Sequence, residues 1–243
     1  MRFISYFLSS IFAVVFLSFL VIFQPLQWLS HRIFGLKYHA KVVAILNFFL
    51  VKSMLILGIP IYYKNEYEIP DHVPLIIVSN HQSTFDIPPL NWFFRKYNPK
   101  FVAKIELGKG IPSVSYNLKH GGAALINRKD PKQAISALVD YAKRVNENNW
   151  AAVIFPEGTR SRTGKPKPFA TNGLKVLTKH NPNGYVVPVT INNSWKVFKY
   201  GKFPLGIGSP MTITTHKPLK ISGMSFETLL QETEAIIKEH VVV

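Results

Sequence analysis

Leu75-Ile76-Ile77-Val78-Ser79-Asn80-His81-Gln82-Ser83-Thr84-Phe85-Asp86 begins as an apolar, β-branched run and ends in a cluster of polar side chains. The first five residues predict a buried strand. The pattern recurs. Ala151-Ala152-Val153-Ile154-Phe155 and Val186-Val187-Pro188-Val189-Thr190-Ile191 read as further buried strands. Phe101-Val102-Ala103 and Ala123-Ala124-Leu125-Ile126 are weaker candidates, and the alternating Met211-Thr212-Ile213-Thr214-Thr215 reads as a strand toward an edge. Between them, residues 131–146 place Ala134, Ile135, Leu138, Val139 and Ala142 at amphipathic-helix spacing, with Asp130-Pro131 as the start. Residues 173–180 and 226–240 give two more helices. Alternating strands and helices predict an α/β domain with a mixed, largely parallel sheet flanked by helices.

Sites in such folds gather where strands end. His81 lies just past the first strand, and Asp86 follows with four residues between. If a helix starts within this stretch, the carboxylate can reach one imidazole nitrogen and leave the other as a general base. A loop histidine beside a helix-start acid is the plainer alternative. Metal binding is a third, although the other histidines show no ligand spacing with His81.

Phe155-Pro156-Glu157-Gly158-Thr159-Arg160-Ser161-Arg162 follows a second strand. Gly158 lets backbone N–H groups approach an anion, and Arg160 can grip phosphate oxygens in pairs. Glu157 could orient an arginine or accept a substrate hydroxyl. A turn with a surface ion pair would give the same sequence. Lys104 and Asn127-Arg128 place further cations at strand ends.

The 243 residues suffice for one core plus an appendage. There is no cysteine, which excludes disulfides and thiolate chemistry. The net charge of +16 favours anionic partners. It is unevenly spread: no acidic residue precedes Glu66, while Arg2, Arg32, Lys37, Lys41 and Lys52 are basic. Cations flanking apolar segments point to a membrane surface with anionic lipids, not to nucleic acid, for which no motif is present. Residues 3–23 form a run of 21 without charge, 17 of them apolar and four serine. A helix of that length can cross a hydrocarbon core of about 30 Å. The run is long for a signal peptide, and no small-residue cleavage site follows it before Gln24-Pro25. A second apolar segment, 40–61, is interrupted by Lys41, Asn47, Lys52 and Ser53. The pair predicts a two-helix membrane element over residues 1–62, either crossing and returning or seated in one leaflet, followed by the α/β domain over 63–243. The broken polarity of the second segment favours one leaflet, with Arg32, Lys37 and Lys41 near headgroups.

Four blocks resemble the 1-acyl-sn-glycerol-3-phosphate acyltransferases of bacterial type. Asn80 to Asp86 is similar to their His-x4-Asp block. Gly122 to Arg128 is similar to the second, with Leu125 where an aromatic is usual. Phe155 to Ser161 fits the third at every position, and Val187-Pro188-Val189 resembles the fourth. The resemblance implies the glycerolipid acyltransferase fold and acyl transfer from acyl-CoA or acyl carrier protein to the sn-2 hydroxyl of a lysophospholipid acceptor. It implies His81 as base, Asp86 as its partner, and direct attack by the acceptor hydroxyl without an acyl-enzyme. Arg128, Glu157, Gly158, Thr159 and Arg160, with help from Lys104, would hold the glycerol phosphate. Val187, Pro188 and Val189 would shape the acyl pocket. No metal or cofactor beyond the acyl donor is implied, and the location implied is the cytoplasmic face of the inner membrane.

Overall fold

The computed structural model describes residues 2–243. Eight strands form one sheet: β1 (Ile61–Asn65), β2 (Leu75–Ser79), β3 (Pro99–Lys104), β4 (Ala124–Ile126), β5 (Ala151–Ile154), β6 (Tyr185–Asn192), β7 (Met211–Thr215) and β8 (Leu219–Lys220). Their order is β1-β7-β6-β2-β5-β3-β4, with β8 beside β6. β6, β2, β5, β3 and β4 run parallel, and β7 joins β6 antiparallel. The sheet is therefore mixed and largely parallel, as expected. β1 pairs with β7, so the alternating strand lies one place in from the edge. Its outer neighbour escapes periodicity because Ile61-Tyr62-Tyr63-Lys64-Asn65 is only half-buried.

β2 is the centre of the sheet, flanked by β5 and β6, and all five of its residues are buried. One face packs on helices α4 (Pro131–Asn148), α5 (Thr171–His180) and α6 (Phe226–Glu239). α4 starts as expected, with Asp130 accepting from Gln133 N at 3.1 Å. Its buried stripe is Leu138, Tyr141, Ala142 and Val145, and Ile135 faces out. The stripe turned because Tyr141, amphipathic by composition, sinks its ring and donates its hydroxyl to Lys100 O at 2.7 Å. The other face packs on the short α2 (Ile87–Phe93), through Leu90 and the following Phe94. Neither α2 nor α3 (Val114–His120) is long enough to show a period.

The apolar N-terminus is a helical hairpin. α1 spans Arg2–Ser53 and is broken at Gly35, whose φ of 74° and ψ of −169° reverse the chain. Leu20 and Phe23 pack on Leu46 and Leu50, and Phe19 stacks on Phe49. The expected connector over 24–39 is mostly helix, with Pro25 carried inside it. The chain turns at the glycine, not at the proline, because only glycine adopts that backbone without a Cβ penalty. The expected boundary at 62/63 falls inside β1. Met54, Leu57 and Ile59 share a cluster with Phe12, Val197, Leu205 and Met211, so the hairpin and the α/β body share a core. Val187 and Val189, expected at an acyl pocket, are fully buried in the sheet core. Pro188 lies between the stretches of β6 that pair with β8 and β7, where a missing N–H disturbs the sheet least.

Candidate active site

Because β2, β3, β4, β5 and β6 are parallel, their C-terminal ends share one edge, and every expected catalytic or phosphate-site residue ends or follows one of them. The His81 loop leaves central β2 between the loops after β5 and β6. A 3-10 turn at Thr84–Asp86 begins within the motif. Ser83 caps it reciprocally: its Oγ accepts from Phe85 N at 3.0 Å, while Asp86 Oδ2 accepts from Ser83 N at 2.9 Å. The turn carries Asp86 back to His81, with Nδ1 and Oδ2 2.8 Å apart. That oxygen also accepts from Gln82 N at 2.7 Å. It is thus an acceptor, so Nδ1 carries the hydrogen and Nε2 presents a lone pair. Among the described residues Nε2 has no protein partner, and the His81 side chain is 18% exposed while Asp86 is buried. The imidazole stacks on Phe155 with ring centroids 4.0 Å apart, which fixes its plane.

Glu157 differs from the expectation that it would orient an arginine or meet substrate. Its Oε1 accepts from His81 N at 2.8 Å and its Oε2 from Lys167 N at 2.9 Å. Both oxygens are committed to backbone, so the carboxylate ties the loop after β5 to the loop after β2. Burial pushes its carboxyl above the usual glutamate range, and the His81 and Lys167 N–H groups oppose that rise. Ser161 N donates to His81 O at 2.7 Å, a second tie between the motifs.

Gly158 has φ 67°, and a Cβ there would meet nothing within 4 Å. The glycine serves the left-handed backbone and leaves the space before it open. Arg128 crosses from the end of β4 and donates to Gly158 O. Thr159 and Arg160 are exposed beside it, and Lys104 is exposed at the end of β3. Thr159, Arg160, Arg162, Lys165 and Lys167 line an open pocket of about 470 Å³ whose wall holds no carboxylate. Gly122, in the second block, has φ 97° and lies against Trp150, whose ring is 2.9 Å from where a Cβ would be.

Several members of this arrangement went unread in the sequence. Asn80 clamps Ile191 on β6, with Nδ2 to O at 2.8 Å and N to Oδ1 at 2.7 Å. Ser194 donates to Asp86 Oδ1. Lys165 and Lys167 join the cationic loop. A serine 108 positions from its carboxylate leaves no local spacing to read; only the strand order brings it close.

A family model described as acyltransferase matches residues 60–192, from the start of β1 to the end of β6. Among curated proteins, the chain is similar to the chloroplastic 1-acyl-sn-glycerol-3-phosphate acyltransferase BAT2 of Brassica napus, 27% identical over 196 residues, covering 79% of this chain and 55% of that protein. It is also similar to the 1-acyl-sn-glycerol-3-phosphate acyltransferase of Helicobacter pylori, 35% identical over 127 residues, covering 51% of this chain and 50% of that one. The chain thus spans about half the length of these curated relatives. Among solved structures, the 1-acyl-sn-glycerophosphate acyltransferase PlsC of Thermotoga maritima superposes with a TM-score of 0.81 at 24% identity, covering 98% of this chain and 95% of that one, which shows a shared fold. The matched segment takes in the His-x4-Asp turn, the cationic loop and the strand edge that joins them, and by that match over more than half its length the chain belongs to the acyltransferase family.

Proposed function

We propose that the protein moves a fatty acyl group from acyl-CoA or acyl carrier protein to the sn-2 hydroxyl of 1-acyl-glycerol-3-phosphate, giving phosphatidic acid. The observation that carries this reading is His81, held through Nδ1 by a buried carboxylate and joined, through Ser161 N on its carbonyl, to the loop whose cationic pocket has no carboxylate in its wall. The names of the curated relatives support the acceptor. In the proposed reaction, Nε2 takes the proton of the acceptor hydroxyl as its oxygen attacks the thioester carbonyl. The tetrahedral intermediate collapses, the C–S bond breaks, and the imidazolium returns its proton to the departing thiolate. The acceptor supplies its own nucleophile, so no acyl-enzyme enters. Arg160, Arg128, Thr159 and the backbone at Gly158 hold the phosphate, with Lys104 nearby. Glu157 holds the loops in register. The hairpin seats in the leaflet that holds the acceptor, on the cytoplasmic face, where acyl thioesters are made.

The test is purified full-length protein assayed against a panel of lysolipids with both donors. Transfer to 1-acyl-glycerol-3-phosphate in preference to phosphate-free acceptors is expected. His81→Ala is expected to abolish transfer while lysolipid binding survives. Near-normal turnover in that variant would remove the base assignment, and preference for another headgroup would replace the acceptor.

A further inference from the structure

We propose that Ser194 is a positioning residue for the His81–Asp86 pair, a role that rests on His81 serving as the base. Ser194 and Asp86 are both fully buried. Oδ2 of Asp86 receives His81 Nδ1 and two backbone N–H groups. Among the described residues Oδ1 receives only two hydroxyls: Ser83 Oγ, at a long 3.3 Å, and Ser194 Oγ, much closer. Gln82 Oε1, the other acceptor near Ser194, is 3.4 Å away, so the single hydroxyl hydrogen goes to Asp86. A carboxylate turns about its Cβ–Cγ bond, and fixing Oδ1 fixes where Oδ2 points. Ser194 therefore holds the far oxygen while His81 uses the near one.

The serine is delivered by β6. Asn193, at φ 69°, turns the chain after the strand and anchors its own Nδ2 on Pro210 O at 3.0 Å. Asn80 clamps the same strand end to the histidine loop. Gln82 extends the network by donating to Gly164 O at 3.2 Å. The loops after β2, β5 and β6 thus meet around one carboxylate. Ser194 also tunes charge. An O–H donated to Asp86 offsets part of the negative charge that stabilises the imidazolium, so its removal makes His81 more basic.

The test uses full-length protein in detergent, with Ser194→Ala and Ser194→Thr compared by steady-state kinetics and by an NMR titration of the His81 ring. Ser194→Ala is expected to lower kcat about tenfold, the loss of one hydrogen bond to a charged group, with KM for both substrates little changed. The acid limb of kcat/KM and the His81 titration midpoint both move to higher pH. Ser194→Thr, which keeps the hydroxyl, restores both. An unmoved midpoint with wild-type kcat overturns the proposal, as does a threonine variant no better than alanine. If the alanine variant does not fold, Ser194→Cys, a weak donor of similar size, carries the same comparison. Turnover surviving in His81→Ala would sink the base reading, whereas the His81 midpoint reports on Ser194 independently of turnover.

Discussion

Asp86 accepts from five donors: the His81 ring, two backbone N–H groups, and the hydroxyls of Ser83 and Ser194. Of these, only the His81 ring was expected from the sequence; the capping box of Ser83 and Asp86 lies in neighbouring residues and carries a readable signal. Glu157 was misread because its partners are 76 and 10 positions away, so sequence proximity to Arg160 misled. Arg160 keeps its side chain free of protein partners among the described residues, which suits a group awaiting an anion. Arg160→Ala is expected to cut kcat/KM for the phosphorylated acceptor about tenfold to a hundredfold, mainly through KM, the range for losing a charge-assisted contact. An equal loss with a phosphate-free acceptor would show that the side chain does something else. Lys100 carries the clearest pH signal. It is 5% exposed, lies over the Trp150 ring at 4.9 Å, and burial, then the nearby Arg144, pulls its pKa from 10.5 to about 8. Between those values the unfolded chain binds more protons than the folded one, so stability rises with pH across that window. The shift corresponds to about 3 kcal/mol at most. Lys100→Met should flatten the rise and be more stable at pH 7 by about 1–3 kcal/mol. Denaturation midpoints from pH 7 to 10.5 would show it, and parallel curves for the two proteins would contradict it.

At the scale of elements, the longer strands and helices were readable and the short ones were not. β2 and β5 are fully buried runs, β6 is buried past Tyr185, and α4 is long enough for its period to show. α2 and α3 have seven residues each and owe their form to what covers them. α1 shows both outcomes. Its apolarity and hairpin form were legible, but its union with the loop after β2 was not. Phe12 and Phe16 meet Phe85 edge-on at centroid distances of 5.7 and 5.8 Å, and Phe85 stacks in turn on Phe198. Phe85 lies directly before Asp86, so the hairpin braces the His81–Asp86 turn from outside. Phe12 is 3% exposed, and Phe12→Ala should cost about 3–5 kcal/mol and lower turnover through a loosened turn. Phe7 is 64% exposed on the opposite face. Phe7→Ala should leave the melting temperature nearly unchanged and weaken vesicle binding by about 2 kcal/mol. Thermal melts and vesicle co-sedimentation separate the two; a Phe7 variant that melts early but still binds would invert the assignment.

At the scale of the whole molecule, the hairpin exposes more large apolar side chains than water would favour. Its inner face buries Ser5, Ser9, Gln27 and Ser30, while Phe3, Phe7, Ile11, Val14, Val21, Trp28 and Phe34 stand exposed. Polar residues turned toward protein beside Phe12, Leu20 and Phe23, with an outward face rich in large apolar side chains, fit a helix solvated by lipid. The first helical segment is also held along its length. Leu205 N donates to Ser9 Oγ at 2.9 Å, Ser113 Oγ donates to Leu20 O at 2.6 Å, and His31 Nδ1 meets the Tyr116 hydroxyl at 3.1 Å. From residue 9 to residue 31 a helix rises about 33 Å, roughly the thickness of the hydrocarbon core. A helix fastened to the body over that distance could cross only by drawing the body in with it, and the exposed charges of Lys104, Arg128 and Arg160 oppose that. The hairpin should therefore lie in one leaflet, with the His81 edge of the sheet near the membrane surface. The absence of cysteine from the sequence makes this measurable, since any introduced thiol is unique. Spin-labelled Val14→Cys is expected to sit about 5–10 Å below the phosphates, the depth of an interfacial helix. A thiol at Ile4, near the start of the same helix, should react with an impermeant reagent added on the protein's side only after detergent is added, and never from the opposite side of sealed vesicles. Labelling of that thiol from the far side would establish a crossing helix and require the body to reorganise around it.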